Sequence, residues 1–388
     1  MENKLTTNQE KNVNEAISGR TGKLTWSIDG TTLTIKGKGR IPNYNFNDYD
    51  PDSANEVYGL DSDSNSDLDS NPPYEVHNHN FNPMPWHLHR KDIYEVIIEE
   101  GVSTIGEAAF ADCSNLITIT IPDSVTKIES NAFLGCNSLS FIPIPKNISD
   151  ILLSAFDDCT SLHCIDVDKN NNTYSSEDGV LFNKSKTELI LYPEGKPYTN
   201  YIIPSSVLKI ESGAFHNSRL IALIIPDTVT SIESGAFLGC RMSSVMISGA
   251  ITRIAGSTFF NCTELTSVSI PNGVISIESC AFWNCSSLKH VTIPDSVTCI
   301  KHGAFMGCCN LNMVTIPNKV TSIDSWAFCN CTSLNHIYLL PEMPPVIEYD
   351  AFVNEGDSCI LHVPVGSKSE YAQAEGWEGF KNIQEDIL

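Results

Sequence analysis

Leu116-Ile117-Thr118-Ile119-Thr120-Ile121-Pro122-Asp123-Ser124-Val125-Thr126-Lys127-Ile128-Glu129-Ser130-Asn131-Ala132-Phe133 reads as one coil of a solenoid. Toward its end the run Leu116–Ile121 alternates apolar and polar side chains, which is the period of a strand. Pro122 closes that strand, because proline has no N–H to give to a ladder. Val125 and Ile128 begin a second inward face, and Ala132-Phe133 falls on a turn or a short helical segment. One such unit holds too little apolar surface to stand alone, so its neighbours must complete the core.

The unit recurs. Phe110, Phe133, Phe156, Phe215, Phe237, Phe259, Phe282, Phe305, Phe328 and Phe352 are separated by steps of 22, 23 or 24 residues, with one step of 59 between Phe156 and Phe215. A period in the twenties marks a stack of short coils. Length alone suggests two or three domains, but a solenoid grows by adding coils and overrides that expectation.

Composition narrows the function classes. Hydrophobic residues make up 41% of the chain, enough for a long core, and the net charge is −23. Such an acidic chain offers no broad basic surface to nucleic acid or to an anionic membrane. No run of 18 apolar residues appears, so no transmembrane segment is expected. The start, Met1 to Ile17, is polar and lacks an apolar signal core.

Three residues after eight of the ten Phe residues stands Cys113, Cys136, Cys159, Cys240, Cys262, Cys285, Cys308 or Cys331, with Ser218 breaking the column after Phe215. A disulfide between successive coils would strain a periodic position, and no CxxC pair has zinc-site spacing. A buried column of small apolar thiols fits the spacing better. Cys164, Cys280, Cys299, Cys309, Cys329 and Cys359 lie off the column. So many thiols point to a reducing or anaerobic setting.

The pattern Leu-x-x-Val/Ile-x-Ile-Pro-x-x-Val-x-x-Ile-x-x-x-Ala-Phe-x-x-Cys, carried from about Ile93 to Phe352, resembles the BspA-like class of leucine-rich repeats. The stretch from Asn171 to Pro204, with Tyr174 to Phe182, resembles the hairpin-bearing insertion of that class and accounts for the long step. Leu361 to Ser367, followed by Tyr371, Trp377 and Phe380, resembles its C-terminal cap. The fold implied is a curved leucine-rich repeat solenoid of short strands joined by turns, 3-10 or short helical segments. A β-hairpin cap stands at its N-terminus, read from Leu24 to Ile35 around Asp29-Gly30. The expected organisation is a flexible tail over 1–20, the hairpin cap over 21–42 and an acidic insertion over 43–90. The solenoid then runs over 91–352 with its inserted hairpin at about 168–204, and a C-terminal cap occupies 353–388. The resemblance implies a non-enzymatic adhesin, on the cell surface or secreted, that binds host matrix, host cells or other microbes. It implies no cofactor.

A partner face is legible in the outward residues of the strand row. These are Thr118 and Thr120, Phe141 and Pro143, Ala222 and Ile224, Ser244 and Met246, Ser267 and Ser269, His290 and Thr292, Met313 and Thr315, and His336 and Tyr338. Asp166 is the one charge read there, so the stripe is nearly neutral in an acidic chain. Thr118, Phe141, Ile224, Met246, His290, Met313, His336 and Tyr338 are the expected contacts for a protein or glycan ligand, strongest at the His/Met/Tyr end. A second column, four residues before the Phe, holds Glu129, Glu211, Glu233, Glu278 and Asp324. Like charges about 5 Å apart repel, so this ladder is expected to be mildly destabilising.

Two weaker metal motifs lie before the first coil. Asp61, Asp63, Asn65 and Asp67 alternate like a calcium loop, but Ser66 replaces the glycine and Pro72 the final glutamate of an EF-hand. His77-x-His79 and His87-x-His89 could hold zinc, copper or nickel if each pair lay on a strand, where i and i+2 share a face. Trp86 is expected to help seal the first coil. No serine-hydrolase elbow, zincin helix or phosphate loop occurs. Asn261-Cys262-Thr263, Asn284-Cys285-Ser286 and Asn330-Cys331-Thr332 match the N-glycosylation pattern, but they recur with the repeat and read as by-products of it. Three functions therefore compete: a surface or secreted adhesin, an intracellular (cytoplasmic) scaffold, and a carbohydrate- or metal-capturing module. If the Phe column is the core, Phe282→Ala should lower stability by ~3–5 kcal/mol in denaturant titration; a negligible loss would place the column outside.

Overall fold

Each coil turns its corner at a backbone that few residues tolerate. Two positions past every column Phe, from the coil of Phe110 to that of Phe328, φ is positive at Asp112, Gly135, Asp158, Asn217, Gly239, Asn261, Asn284, Gly307 and Asn330. Only Gly, Asn and Asp occupy this site, the residue types that enter the left-handed region most readily. The three sequon asparagines are therefore placed by the turn itself.

The computed structural model describes residues 16–44, 83–348, 350–352 and 359–388. Every regular coil contributes a front strand such as Thr118–Thr120 and a shorter second strand such as Lys127–Ile128. Both rows pair in parallel from coil to coil, as in Ser244↔Ser267↔His290 and Ser276↔Cys299↔Ser322. Between the rows the column Phe rings stack at 5.1–5.6 Å between neighbouring centroids. Trp86 begins the stack against Phe110 at 5.8 Å, and Trp377 ends it against Phe352 at 5.6 Å.

The caps differ from the expected boundaries. The N-terminal cap is a three-stranded antiparallel meander, Ile17–Thr21, Leu24–Asp29 and Thr32–Gly37, so the expected tail over 1–20 gives way to a strand at Ile17. Ile17-Ser-Gly-Arg-Thr21 has no apolar alternation to announce it. It is held instead by pairing, and by Gly19 lying on the Trp26 ring, where a Cβ would come within 2.9 Å. Thr32–Gly37 then pairs in parallel with Glu95–Ile98, the first front strand. Of the expected insertion over 43–90, Tyr44, Met84 and Trp86 are buried in the first core. At the far end Ile360–Pro364, the helix Lys368–Gln373 and Asn382–Ile387 close the last coil. Tyr371 Oη and Trp377 Nε1 donate to the carbonyls of Pro341 and Pro345 at 2.8 and 2.9 Å.

The insertion divides the core. Asn171 is fully buried and ties the insertion to the coil before it: its Nδ2 donates to the carbonyls of Pro145 and Ile148, while its Oδ1 accepts from the N–H of Thr173 and Tyr174. Tyr174–Glu177 and Val180–Asn183 form a hairpin about Asp178-Gly179, both at positive φ as the tight turn requires. The inner hairpin strand is buried on both faces. Leu181 packs into the N-terminal core with Ile190, whereas Val180 and Phe182 pack into the C-terminal core with Leu189 and Tyr192. Tyr192 restarts the ring stack against Phe215 at 5.3 Å.

At this seam a cleft is lined by Asp157, Asp158, Tyr192, Glu194 and His216. Burial, aided by Asp158 and opposed by His216, pushes the Glu194 carboxyl up to about 7. A carboxyl whose folded value is raised costs stability once the unfolded chain ionises, so the cost is absent below its ordinary value, grows as pH rises toward about 7 and is full above that. Glu194→Gln should therefore stabilise the chain by about 1–2 kcal/mol at pH 8, after allowance for partial exposure, and by almost nothing near pH 4.5. Equal effects at both pH values in thermal melts would refute this assignment.

Candidate functional site

The outward residues of the front strands fall into two columns held by the parallel register. One runs Thr32↔Glu95↔Thr118, resumes as Phe141↔Cys164 and Asn200↔Ala222, and continues through Ser244↔Ser267↔His290 to Met313↔His336↔Ile360↔Asn382. The other includes Thr34↔Ile97↔Thr120, Ile202↔Ile224↔Met246↔Ser269↔Thr292 and Thr315↔Tyr338↔His362↔Gln384. Every expected contact residue lies on these columns. Thr118, Phe141, Ile224, Met246, His290 and Met313 are exposed, while His336 and Tyr338 are half-buried.

The structure adds residues that periodicity did not select. Ile202, Ile224 and Met246 stand in one column at 68%, 58% and 73% exposure, an apolar strip on three successive coils. Ile202 was hidden by the insertion, although Tyr201-Ile202-Ile203-Pro204 repeats the strand-then-proline signature. At the C-terminal end Tyr338 stacks on His362 at 4.2 Å. His362 Nδ1 donates to Asp386 at 2.8 Å, and its Nε2 lies 2.9 Å from His336 Nδ1. With both rings neutral, His336 donates this bond, which leaves its Nε2 as an acceptor. This network of imidazoles, phenol and carboxylate can recognise a polar partner. Glu95 and Asp386 also place charge on a stripe whose one expected charge was Asp166.

Two other columns resolve differently from their expectation. The acidic column is not a bare ladder, because cations two positions earlier in the coil interleave with it. Lys127 bridges Glu129 and Asp150 at 3.2 and 3.0 Å, Lys209 reaches Glu211 at 2.9 Å, and Arg253 reaches Glu233 at 3.4 Å. The expected repulsion is thus locally neutralised. The column thiols are buried, and those from Cys136 to Cys331 donate to the carbonyl of the Phe of the preceding coil at 2.9–3.2 Å. Ser218 takes a thiol's place and sits 3.2 Å from Cys240 Sγ.

Of the metal motifs, Asp61, Asp63, Asn65, Asp67, His77 and His79 lie outside the described residues. His87 and His89 sit on the 3-10 helix His87–Asp92, not on a strand. At about three residues per turn, i and i+2 point to different sides, and each ring has its own neighbour: Arg90 for His87 and Asp92 for His89. Among the described residues no group of three or more His, Cys, Asp and Glu side chains is placed to hold a metal, and no helix is long and apolar enough to cross a membrane.

Parallel short strands, Asn/Gly corners and a ring-filled core define a leucine-rich repeat solenoid. The model of the BspA type leucine rich repeat region matches in six copies over residues 88–195, 194–308 and 252–372, and the chain belongs to that family. No curated protein matches it. Among solved structures, it is similar to a leucine-rich repeat protein from Eubacterium ventriosum (24% identity, 88% of this chain and 95% of that one, TM-score 0.61). It is also similar to the pneumococcal vaccine antigen PcpA (19%, 97% and 100%, 0.54) and to a leucine-rich repeat protein from Bacteroides ovatus (21%, 98% and 100%, 0.51).

Burial pushes Cys113 and Cys240 up to about 12 and Cys280, partly exposed, to about 11. Thiols held protonated and inaccessible react slowly. Alkylation of the native chain should therefore modify only Cys164, Cys280, Cys299 and Cys309, the four that are not buried. Peptide mapping that finds the column cysteines labelled at the same rate would contradict this burial.

Proposed function

We propose that the chain is a non-enzymatic binding protein of the cell surface, or a secreted one, that holds a protein or glycan partner along its outward strand face. The observation that carries this reading is the pair of in-register columns, whose apolar strip and His/Tyr cluster stand outward while the core behind them is full. Aromatic, Met and His side chains in such positions are the usual anchors of an interface, and repeat proteins bind along continuous faces of this kind. Membership of the BspA-type family and a fold shared with a vaccine antigen agree with a surface role.

A second reading, an intracellular scaffold using the same face, is favoured by fourteen cysteines of which none is in a disulfide. Protease shaving of intact cells separates the two: release of this chain's peptides supports the surface reading, and protection until lysis supports the scaffold. For the face itself, capture by immobilised matrix proteins and glycans should fall at least about tenfold in Ile224→Asp/Met246→Asp or in His336→Asp/Tyr338→Asp. The first pair is well exposed, so its Tm should stay within a few degrees of the parent. Full capture by both double variants would remove the face from consideration.

A further inference from the structure

The N-terminal cap carries charge of the opposite sign to the rest of the chain. Over residues 16–44 stand Arg20, Lys23, Lys36, Lys38 and Arg40 against the single acid Asp29, in a protein of net charge −23. The antiparallel register sorts its outward side chains into two rows. Ser18, Ser27 and Thr34 form a row of hydroxyls, and Arg20, Thr25 and Lys36 form a row with a cation at each end. These six residues line a cavity of about 370 Å³, with Gly19 and Trp26 completing its wall. That volume lies within the range of small-ligand sites. The same sheet continues in register into the front columns through Thr34↔Ile97↔Thr120, so the cavity is the N-terminal end of the strand face.

We infer that this cavity binds an acidic saccharide, a short run of sugar units bearing sulfate esters or carboxylates. Two strand separations place Arg20 and Lys36 about 10 Å apart along the sheet. That spacing suits anionic groups on an extended chain, whereas a single compact phosphate would meet only one cation. The four hydroxyls between and beside them offer donors and acceptors to a ligand that is itself rich in hydroxyls. Arg20 is exposed and makes no ion pair among the described residues, so its fork of donors stands available to a sulfate or carboxylate. Lys36 is held by Glu99 at 2.8 Å, with both side chains about half exposed at 53% and 45%. An exposed pair of this kind is weak, and an incoming anion displaces the carboxylate at little cost. A long-range field from the acidic solenoid opposes any polyanion, so the pocket selects a short anionic stretch rather than a nucleic acid.

The inference rests on the reading of the strand face as a binding face, and one titration series separates the two. The full chain is titrated calorimetrically with a size-defined heparin-type oligosaccharide, and with its desulfated, carboxyl-reduced counterpart. The charged sugar should bind and weaken with added salt, and the neutral one should not bind. Arg20→Gln/Lys36→Gln should lower the affinity at least about tenfold, while Glu99→Gln, which releases Lys36, should raise it. Lys23→Gln/Lys38→Gln, outside the cavity, should change it less than about twofold, a bound set by the small worth of exposed charges. Equal binding of the neutral sugar, no response to Arg20→Gln/Lys36→Gln, or an equal loss from Lys23→Gln/Lys38→Gln would overturn the site. Binding lost only in Ile224→Asp/Met246→Asp would also overturn it, while leaving the strand face intact. Far-ultraviolet circular dichroism and Tm of each variant confirm that these exposed substitutions leave the fold unchanged.

Discussion

Everything in this molecule follows from the fixed separation of one coil from the next. Parallel hydrogen bonding sets neighbouring strands about 4.8 Å apart, and every column must be filled by side chains that tolerate an identical neighbour at nearly that distance. Aromatic rings do so by offset stacking, which is why the column rings sit a little over 5 Å apart. Thiols do so because they are small and can hydrogen-bond the carbonyl of the previous coil. Charges do so only when a cation is interleaved, as Lys127 is between Glu129 and Asp150. The corner adds a second requirement, a left-handed residue, and Asn, Asp and Gly satisfy it.

These requirements repeat, and repetition is what made the fold legible. A single Phe or Cys carries little information, but ten Phe residues at almost constant spacing leave few architectures open. The same logic explains what stayed hidden. Tyr192 fills the Phe column where the motif around it has dissolved into the insertion, so the ring identity changed along with the context, whereas Trp86 and Trp377, which end the stack, were expected at the two caps. The strand Ile17–Thr21 has no apolar period because it is held by backbone pairing and by a ring under Gly19.

The candidate face was partly legible for a related reason. Outward positions follow once the strands are placed, so Ile224, Met246, His336 and Tyr338 could be named from spacing. Their partners could not. His362 reaches Tyr338 and His336, and Asp386 reaches His362, only because two cap strands add to the same sheet, a long-range event. Likewise, His87 and His89 look like a ligand pair on a strand and lose that geometry on a 3-10 helix. The charge of the cap was visible in the sequence, but its arrangement in rows needed the register.

The hairpin strand Val180–Asn183, with one face in each of two cores, has a bearing on how the chain folds. In an uninterrupted solenoid, order spreads from coil to coil and the cooperative unit is as long as the stack. Here side-chain packing is handed over at one strand, so each half can form its own nucleus, and contacts within each half are mostly between neighbouring coils. The two halves become separate cooperative units coupled through a shared wall. A chain built this way can lose order in one half while the other keeps its structure and its part of the outward face.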